Sequence, residues 1–587
     1  MNNKPGTTGD TGTLIATLAA IGVGACLCLS LFLAGIITGE AVPFNPLVLV
    51  IYLATGKIHL TSVTWVIAGI FSAIVMSIAG LVSWRVLKVR GRRVRGDNKA
   101  RLTGGRSARQ ALQRGVVAEK AQRLGISGDN PVGYRLGRAV DTGELLYGDF
   151  ESVSLMLSGP RGGKTAGYAI PLLLEAPGCV LATSNKRDLV DATRYAREQL
   201  GEKAWVFDPC NILGRPGTMW WNPLTYLTSP AYGGSLFSRA THLAKILGDA
   251  ARAGTATKAY DGFWDGGGEQ IRACLLAAAA LEHRSMADVY AWVQSTLDET
   301  PIDILRNHGM GELAALLRAQ MDLPSVTKGG MWAHARSGLE WVGDPETRTW
   351  WDGGGAEFNP AMFVQTREAL YSMSVDGAAI APLVAALTAV TCLAAENYAQ
   401  AQHGGRLATP MMVVLDEAAN VCPWRELPRL YSHFGSKGIC LHTILQSWSQ
   451  GVSVWGEAGM NMLWSAANNV LYAGGVKETE ILAKISKLIG TYRTSQRSTS
   501  MSKGVRSTSI SQNSLEVPIA SEAELAALPA WRAWLFASKS RPTLIRLLPW
   551  FEGENQELVE ESIARYGSNA TPSSSAALGG VRDAWNN

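Results

Sequence analysis

The segment that most restricts this chain is a short apolar run, Val153–Leu157 (VSLML), which leads directly into Ser158-Gly159-Pro160-Arg161-Gly162-Gly163-Lys164-Thr165 and a helical run from Ala166. A strand, a glycine loop, Lys-Thr and a helix in that order form a phosphate cradle. Glycines let backbone N–H groups close around a β-phosphate, the lysine reaches β/γ oxygens, and the threonine hydroxyl ligates Mg²⁺ at the positive helix end. The candidate nucleotide-binding residues are therefore Ser158, Gly159, Pro160, Arg161, Gly162, Gly163, Lys164, Thr165 and Ala166. One position departs from the usual G-x-x-x-x-G-K-[ST] spacing, because Ser158 stands where the first glycine belongs. An unrelated glycine turn is the alternative, but it would not explain the flanking strand and helix.

A cradle of this kind needs a carboxylate at the end of another strand. Met411-Met412-Val413-Val414-Leu415-Asp416-Glu417 supplies one, because the apolar run places its acids at a buried strand's C-terminal edge, where α/β sheets carry their ligands. Asp416 would hold Mg²⁺ through water and Glu417 would polarise the attacking water. A third run, Ile439–Leu445, ends in Gln446-Ser447, so Gln446 is placed to sense a γ-phosphate while Ser447 caps the following helix. His433 and His442 have no partner at metal spacing and read as ordinary polar or core histidines.

The rest of the composition narrows the class. With 587 residues, 47% of them hydrophobic, the chain has core enough for three to four domains. It is no collagen, disulfide mini-scaffold or disordered chain. The net charge of +5 is too small to imply a polyanion partner without clustering. The eight cysteines include no C-x-x-C pair, which supports neither a zinc ribbon nor a disulfide framework.

From Thr13 to Ile37 no residue is charged, and a second uncharged run covers Thr61 to Trp84. As a helix the first would reach about 37 Å against roughly 30 Å of bilayer hydrocarbon, and it is too long for a signal-peptide core. Two membrane spans are expected. Ten Lys/Arg stand in residues 85–109 against Asp97, whereas the loop 38–60 holds Lys57 and Glu40, so both the N-terminus and the large C-terminal part face the cytoplasm. The run Pro46–Ala54 is too short to cross and reads as interfacial or protein-covered. The basic stretch is explained by topology and anionic lipid rather than by DNA.

Between the two nucleotide motifs, about 232–355 is nearly all helical in its apolar spacing: Leu236–Leu247, Gly267–His283, Met286–Gln294 and Gly311–Gln320. An inserted helical domain is the simplest account, with sheet pattern resuming near Arg367–Ser374. Residues 491–515 hold twelve Ser/Thr and four cations (Arg493, Arg497, Lys503, Arg506) and no acid. They read either as a solvated loop or as a hairpin turning near Lys503-Gly504 whose hydroxyls and cations touch a phosphate backbone. After Gly567 the Ser/Ala/Gly-rich tail reads as disordered.

Taken together these blocks resemble the type IV secretion coupling proteins, the TraG/TraD-like hexameric ATPases of conjugation systems. The likeness is collinear, through L-S-G-P-R-G-G-K-T, Ile170-Pro171, Thr183-Ser184-Asn185-Lys186, Val206-Phe207-Asp208-Pro209 and Trp221-Asn222-Pro223-Leu224 to V-V-L-D-E-A-A-N. It continues through Lys437-Gly438-Ile439, Leu445-Gln446-Ser447, Gly474-Gly475, Glu524-Leu525 and Leu528-Pro529. The resemblance implies an α/β fold: a RecA-like P-loop NTPase domain (141–231 and 356–566) with an inserted all-α domain (232–355) that chooses cargo. It implies an N-terminal two-helix transmembrane hairpin (13–84) after a cytoplasmic tail (1–12), a basic juxtamembrane linker (85–140) and a disordered end (567–587). It further implies a homohexamer in the bacterial inner membrane, ATP and Mg²⁺ as cofactors, relaxase and DNA, single-stranded by preference, as cargo, and type IV secretion channel proteins as partners. Lys437 stands where the family often has a trans-acting arginine, and a lysine makes a point-charge contact there in place of a bidentate fork. The expected catalytic set is Glu417, Lys164, Gln446 and Lys437, with Thr165 and Asp416 at the metal. Two rivals remain: an FtsK-like double-stranded DNA translocase, which lacks such a helical insertion, and a docking scaffold that binds nucleotide without needing a water-activating Glu417.

Overall fold

Strand-forming runs recur through the second of two compact units, Met1–Val94 and Arg95–Asn587. The computed structural model describes residues 28–74, 77, 97–103, 105–126, 131–199, 203–253, 261–495, 498–502, 505–509 and 514–568. In chain order the strands are β1 (Tyr134–Ala139), β2 (Leu145–Gly148), β3 (Ser154–Leu157), β4 (Val180–Ser184), β5 (Ala204–Phe207), β6 (Met219–Trp220), β7 (Ala356–Glu357), β8 (Ala369–Met373) and β9 (Met411–Leu415). They continue with β10 (Ile439–Leu445), β11 (Asn469–Tyr472), β12 (Thr491–Ser495), β13 (Ser498–Ser502), β14 (Val505–Ser509), β15 (Ser514–Pro518), β16 (Arg532–Ala537) and β17 (Thr543–Arg546).

Eleven of them form one sheet in the order β2-β1-β17-β16-β11-β3-β10-β9-β4-β8-β5. From β11 to β5 every neighbouring pair is parallel, and from β11 back to β2 every pair is antiparallel. The parallel strands β3, β4, β8, β9 and β10 are buried along their whole length, which is why they read as continuous apolar runs and not as alternating ones. Alternate residues still feed different cores. Leu155, Leu157, Leu181 and Val413 join one cluster, while Met156, Val180, Ala182 and Met412 join another.

Residues 85–140 were expected to be a linker, and here the structure differs. Tyr134–Ala139 is β1, a strand of the large sheet, because Tyr134, Leu136 and Ala139 bury their side chains in the second core. Residues 85–96 lie outside the described residues.

Between β6 and β7 the described chain is helical: Leu236–Arg252, Trp264–Leu281, Met286–Gln294, Thr300–Asn307, Gly311–Met321 and Ser325–Arg336. Ser235 and Ser285 cap two of these helices, the latter in a full capping box with Asp288. Trp264–Leu281 is the hub, buried on almost every side. Its fully buried Arg272 donates to the carbonyls of Ala244 (3.1 Å), His334 and Ser337 (3.0 Å), and so ties three segments together.

Among the described residues, the helix long and apolar enough to cross a membrane is Ala381–Ala401. Its Leu383, Val384, Leu387 and Val390 are wholly buried in the first core, so it is a core helix of the second unit. The first unit holds shorter apolar helices, Cys28–Thr38 and Ser62–Ile74, together with Pro46–Ala54. Leu31, Ala34, Val42, Leu49 and Ala68 pack together there, and Thr64 donates to Glu40 Oε2 at 2.7 Å. The remainder of the two uncharged runs, residues 13–27 and most of 75–84, lies outside the described residues, as does the tail from 569.

Candidate active site

The parallel register brings four strand ends to one edge. Leu157 pairs with Leu445, and Leu415 pairs with both Thr443 and Thr183. Ser158, Gln446, Asp416 and Asn185 thus leave the sheet side by side, and β10, with Gln446 just past its end, lies between the phosphate-loop strand and the acid strand.

The loop itself is held by backbone bonds, Ser158 N–H to Leu445 O (3.0 Å) and Gly159 N–H to Gly474 O (2.9 Å). The place of Ser158 in the motif now has a physical account. A Cβ on Gly159 would sit 2.3 Å from Gly475 O, so the close backbone approach falls one residue later than usual. Ser158 is buried, and its hydroxyl fits because position 162 has no Cβ, which would lie 2.3 Å from Oγ. Pro160 and Arg161 form the exposed tip, with Arg161 in the left-handed region (φ 61°), and Ala166 is buried beneath.

Behind the loop, Lys164 Nζ lies 3.1 Å from Glu417 Oε1 and 3.3 Å from Asp416 Oδ1. Thr165 Oγ1 donates to Asp416 Oδ2 at 3.3 Å. Gln446 Nε2 donates to Glu417 Oε1, and Asn185 Nδ2 donates to Glu417 Oε2. Thr183 Oγ1 donates to the Asp416 carbonyl at 3.1 Å, locking the acid strand to β4. Asp416 and Glu417 are each 4% exposed. Burial pushes the Asp416 carboxyl up, and Lys164 offsets this in part. Burial also acts on Glu417, but the Lys164 ammonium and the Gln446 amide outweigh it and hold that carboxyl below the ordinary value. Glu417 sits at φ 53°, a left-handed conformation that non-glycine residues hold only where the surroundings impose it.

The donor set suits Mg²⁺ held beside a nucleotide. Asp416 Oδ1 is buried, with the Lys164 ammonium at 3.3 Å as its neighbour, so once Lys164 turns to a phosphate this oxygen has a lone pair for a metal-bound water next to the Thr165 hydroxyl.

Of the expected residues, Ser158 to Ala166, Asp416, Glu417 and Gln446 converge, whereas Lys437 does not join them. It caps the end of the helix Leu427–Ser436 just before β10 begins. A strand of that length carries it roughly 20 Å from Gln446, to the opposite edge of the sheet. His442 is buried, accepts or donates to Tyr168 Oη at 3.0 Å, and is pushed down to about 3 by burial. His433 pairs with Glu396 at 2.7 Å. Among the described residues no His/Cys/Asp/Glu group could hold a metal on its own.

Two residues near the loop had no role in the sequence reading. Asn185 appears there only within the Thr-Ser-Asn-Lys block, and its place at the end of a strand adjoining the acid strand is the signal that could have singled it out. Trp531 has φ 64° and presses its indole on the phosphate loop, since Cβ atoms on Gly163 and Gly167 would meet its ring at 2.6 and 3.1 Å. No local pattern around Trp531 announces that contact.

Among the described residues of 491–518, β12 pairs antiparallel with β15 and β13 with β14, the latter ladder running to a Ser502–Val505 pair. This is the hairpin alternative. Arg493 is exposed and lies 3.4 Å from Glu516, while Arg497, Lys503 and Gly504 lie outside the described residues.

Comparison with known proteins follows the same lines. Residues 410–530 match the family described as the TraM recognition site of TraD and TraG. The fold is similar to that of the bacterial conjugative coupling protein TrwBdeltaN70 in its unbound monoclinic form, at 16% identity and a TM-score of 0.50, over 73% of this chain and 91% of that one. Its trigonal form in complex with sulphate gives 15% identity, a TM-score of 0.50, and 73% and 92% coverage. The TrwB complex with ADP and Mg²⁺ gives 15% identity and a TM-score of 0.42, over 64% and 86%. No curated protein matches the sequence. The resemblance to TraG/TraD-like coupling proteins thus holds in sequence over β9 to β15 and in fold over most of the chain.

Proposed function

We propose that the chain is a membrane-anchored ATP hydrolase that acts as a conjugative coupling protein, bringing relaxase-bound DNA to a type IV secretion channel. The observation that carries the ATPase reading is the convergence of Lys164, Thr165, Asp416, Glu417 and Gln446 at one sheet edge. In this reading Lys164 leaves the two carboxylates for the β/γ-phosphates. Thr165 and Asp416 would hold Mg²⁺, which when bound neutralises charge on the phosphate oxygens. Glu417 takes the proton of the attacking water, and Gln446 reports the γ-phosphate.

The coupling role is supported by the helical segment between β6 and β7, which a minimal double-strand translocase has no use for, and by the likeness in fold and over 410–530. In the proposed organisation 13–84 forms the membrane hairpin, residues 232–355 read the cargo, and six copies assemble with Lys437 turned toward a neighbour's nucleotide. The uncharged runs and the cations that follow them support the anchor.

The test uses the full-length chain with ATP, a single-stranded oligonucleotide and its duplex. The parent hydrolyses ATP faster with DNA, and the preferred strand type shows in the stimulation. Glu417→Gln is expected to bind ATP and retain it uncleaved, with turnover lower by about a hundredfold or more. Hydrolysis at the parental rate would remove Glu417 from this role.

A further inference from the structure

Glu417 is the carboxylate expected to activate water, yet its oxygens are engaged by its own chain. Oε1 receives Lys164 at 3.1 Å and the Gln446 amide, and Oε2 receives the Asn185 amide. An amide N–H donates to an anion and cannot take a proton from it, so Asn185 fixes the direction of Oε2, occupies one of its two lone pairs and makes the carboxylate less basic toward a water O–H. The backbone of Glu417 is also held in the left-handed region, with ψ 44°. Lys164 and Gln446 have phosphates to turn to when nucleotide binds. Asn185 has no such duty, because β4 lies on the far side of the acid strand from the phosphate-loop strand, whereas β10 adjoins that strand.

Nor does the surrounding fold require its side chain. The β4–β9 pairing is carried by the backbone ladder from Val180–Met412 to Thr183–Leu415, reinforced by Thr183 Oγ1 on the Asp416 carbonyl. The turn after β4 is closed by Ser184, whose hydroxyl accepts from Lys186 N–H at 3.1 Å. The Asn185 amide is half-buried and turned to the carboxylate.

We propose that Asn185 is a positioning residue that restrains the base: its amide holds Glu417 Oε2 away from the attacking water, and its withdrawal when DNA engages frees the carboxylate. The inference rests on the reading of Glu417 as the base. Hydrolysis without DNA is then slow because of the restraint and not because of weak nucleotide binding.

The experiment measures kcat, KM and the affinity for a fluorescent ATP analogue in the full-length chain, with and without a single-stranded oligonucleotide. It compares the parent with Asn185→Ala, Asn185→Ser and Glu417→Gln. Basal kcat is expected to rise about tenfold in both Asn185 variants, equal to about 1.4 kcal/mol of restraint. KM and nucleotide affinity stay at the parental value, and the DNA-stimulated rate is unchanged, so the stimulation ratio falls by the same factor. Asn185→Ser keeps a polar group too short to reach Oε2 and carries the test if the alanine variant unfolds, as thermal melting would show. A basal kcat that stays the same or falls in a folded Asn185 variant, with Glu417→Gln inactive, overturns the restraint alone. An active Glu417→Gln overturns the base assignment itself.

Discussion

Lys164 shows how one residue balances a site before any ligand arrives. Its ammonium lies within 3.3 Å of both Asp416 and Glu417, and all three side chains are nearly buried, at 11%, 6% and 3% exposed. Removing one partner from a buried charge cluster leaves the others uncompensated and costs about 3–5 kcal/mol. Lys164→Ala should therefore lose nucleotide binding and also melt earlier as the unliganded chain, by several degrees in calorimetry. The melting defect should shrink on mild acidification. Burial already raises Asp416, and without Lys164 its folded pKa rises further above the unfolded one. The ionised acid then destabilises the fold at neutral pH, and stability returns as pH falls through the folded pKa. An unliganded Lys164→Ala chain as stable as the parent across pH 5–8 would show that the lysine does not hold the acids apart from nucleotide.

At the scale of elements, the β12–β15 ladders form an antiparallel arm that leaves the sheet after the helix Thr479–Ile489 and returns at Ile519, whose N–H bonds Gly490 O at 3.0 Å. The proposed contact of this arm with a nucleic acid backbone has a measurable signature. Neutralising Arg493, Arg497, Lys503 and Arg506 together should weaken DNA binding equally for all sequences and flatten the dependence of log K on log salt. Each lost phosphate contact changes that slope by about 0.7 to 0.9, as read by fluorescence anisotropy at several salt concentrations. An unchanged slope would make the arm a solvated hairpin. The arm's polar sequence was open to either form, because Ser/Thr-rich strands carry no apolar face to mark them. Its return is anchored by Ile519 and Ala520, both buried, where Ser486 Oγ of the preceding helix donates to Ala520 O at 2.6 Å.

For the whole molecule, the helices of 236–336 stand between the two nucleotide motifs, and their described residues add nothing to the sheet edge that carries those motifs. The strands at the point of insertion, β6 and β7, pair with one another, Met219 with Ala356 and Trp220 with Glu357, so the two ends of the insertion meet. Segments with close termini are the ones that can be exchanged without unravelling their host. A short Gly/Ser bridge replacing about 232–355 should thus keep nucleotide binding, lose relaxase-bound cargo in a pull-down and abolish transfer in a mating assay. The price is the exposure of Leu383, Leu387 and other residues of the helix Ala381–Ala401 now covered by the first core, so polar replacements on that face belong in the bridged chain. Parental transfer by the bridged protein would remove cargo reading from the insertion and favour the FtsK-like alternative.

The glycine loop, the acid strand and the strand ending at Gln446 were legible in the chain itself, because each is local: an apolar run buried on both faces, then a polar tip whose chemistry follows from residue type. The helices of the insertion were legible for a similar reason, since Ser285 with Asp288 and the 3.6-residue spacing act within a few turns. What lay beyond the sequence was which tips meet. Asn185 and Gln446 come to opposite oxygens of Glu417 only because parallel register aligns Thr183, Leu415 and Thr443. Likewise Trp531 reaches Gly163 from the far end of the chain, and Tyr134–Ala139 joins the sheet instead of a linker. Lys437, two residues before β10, falls at the opposite edge from its own chain's site because a strand has two ends and composition does not say which faces the ligand. Register, strand order and contacts between distant segments are long-range properties, set by the burial of both sheet faces at once.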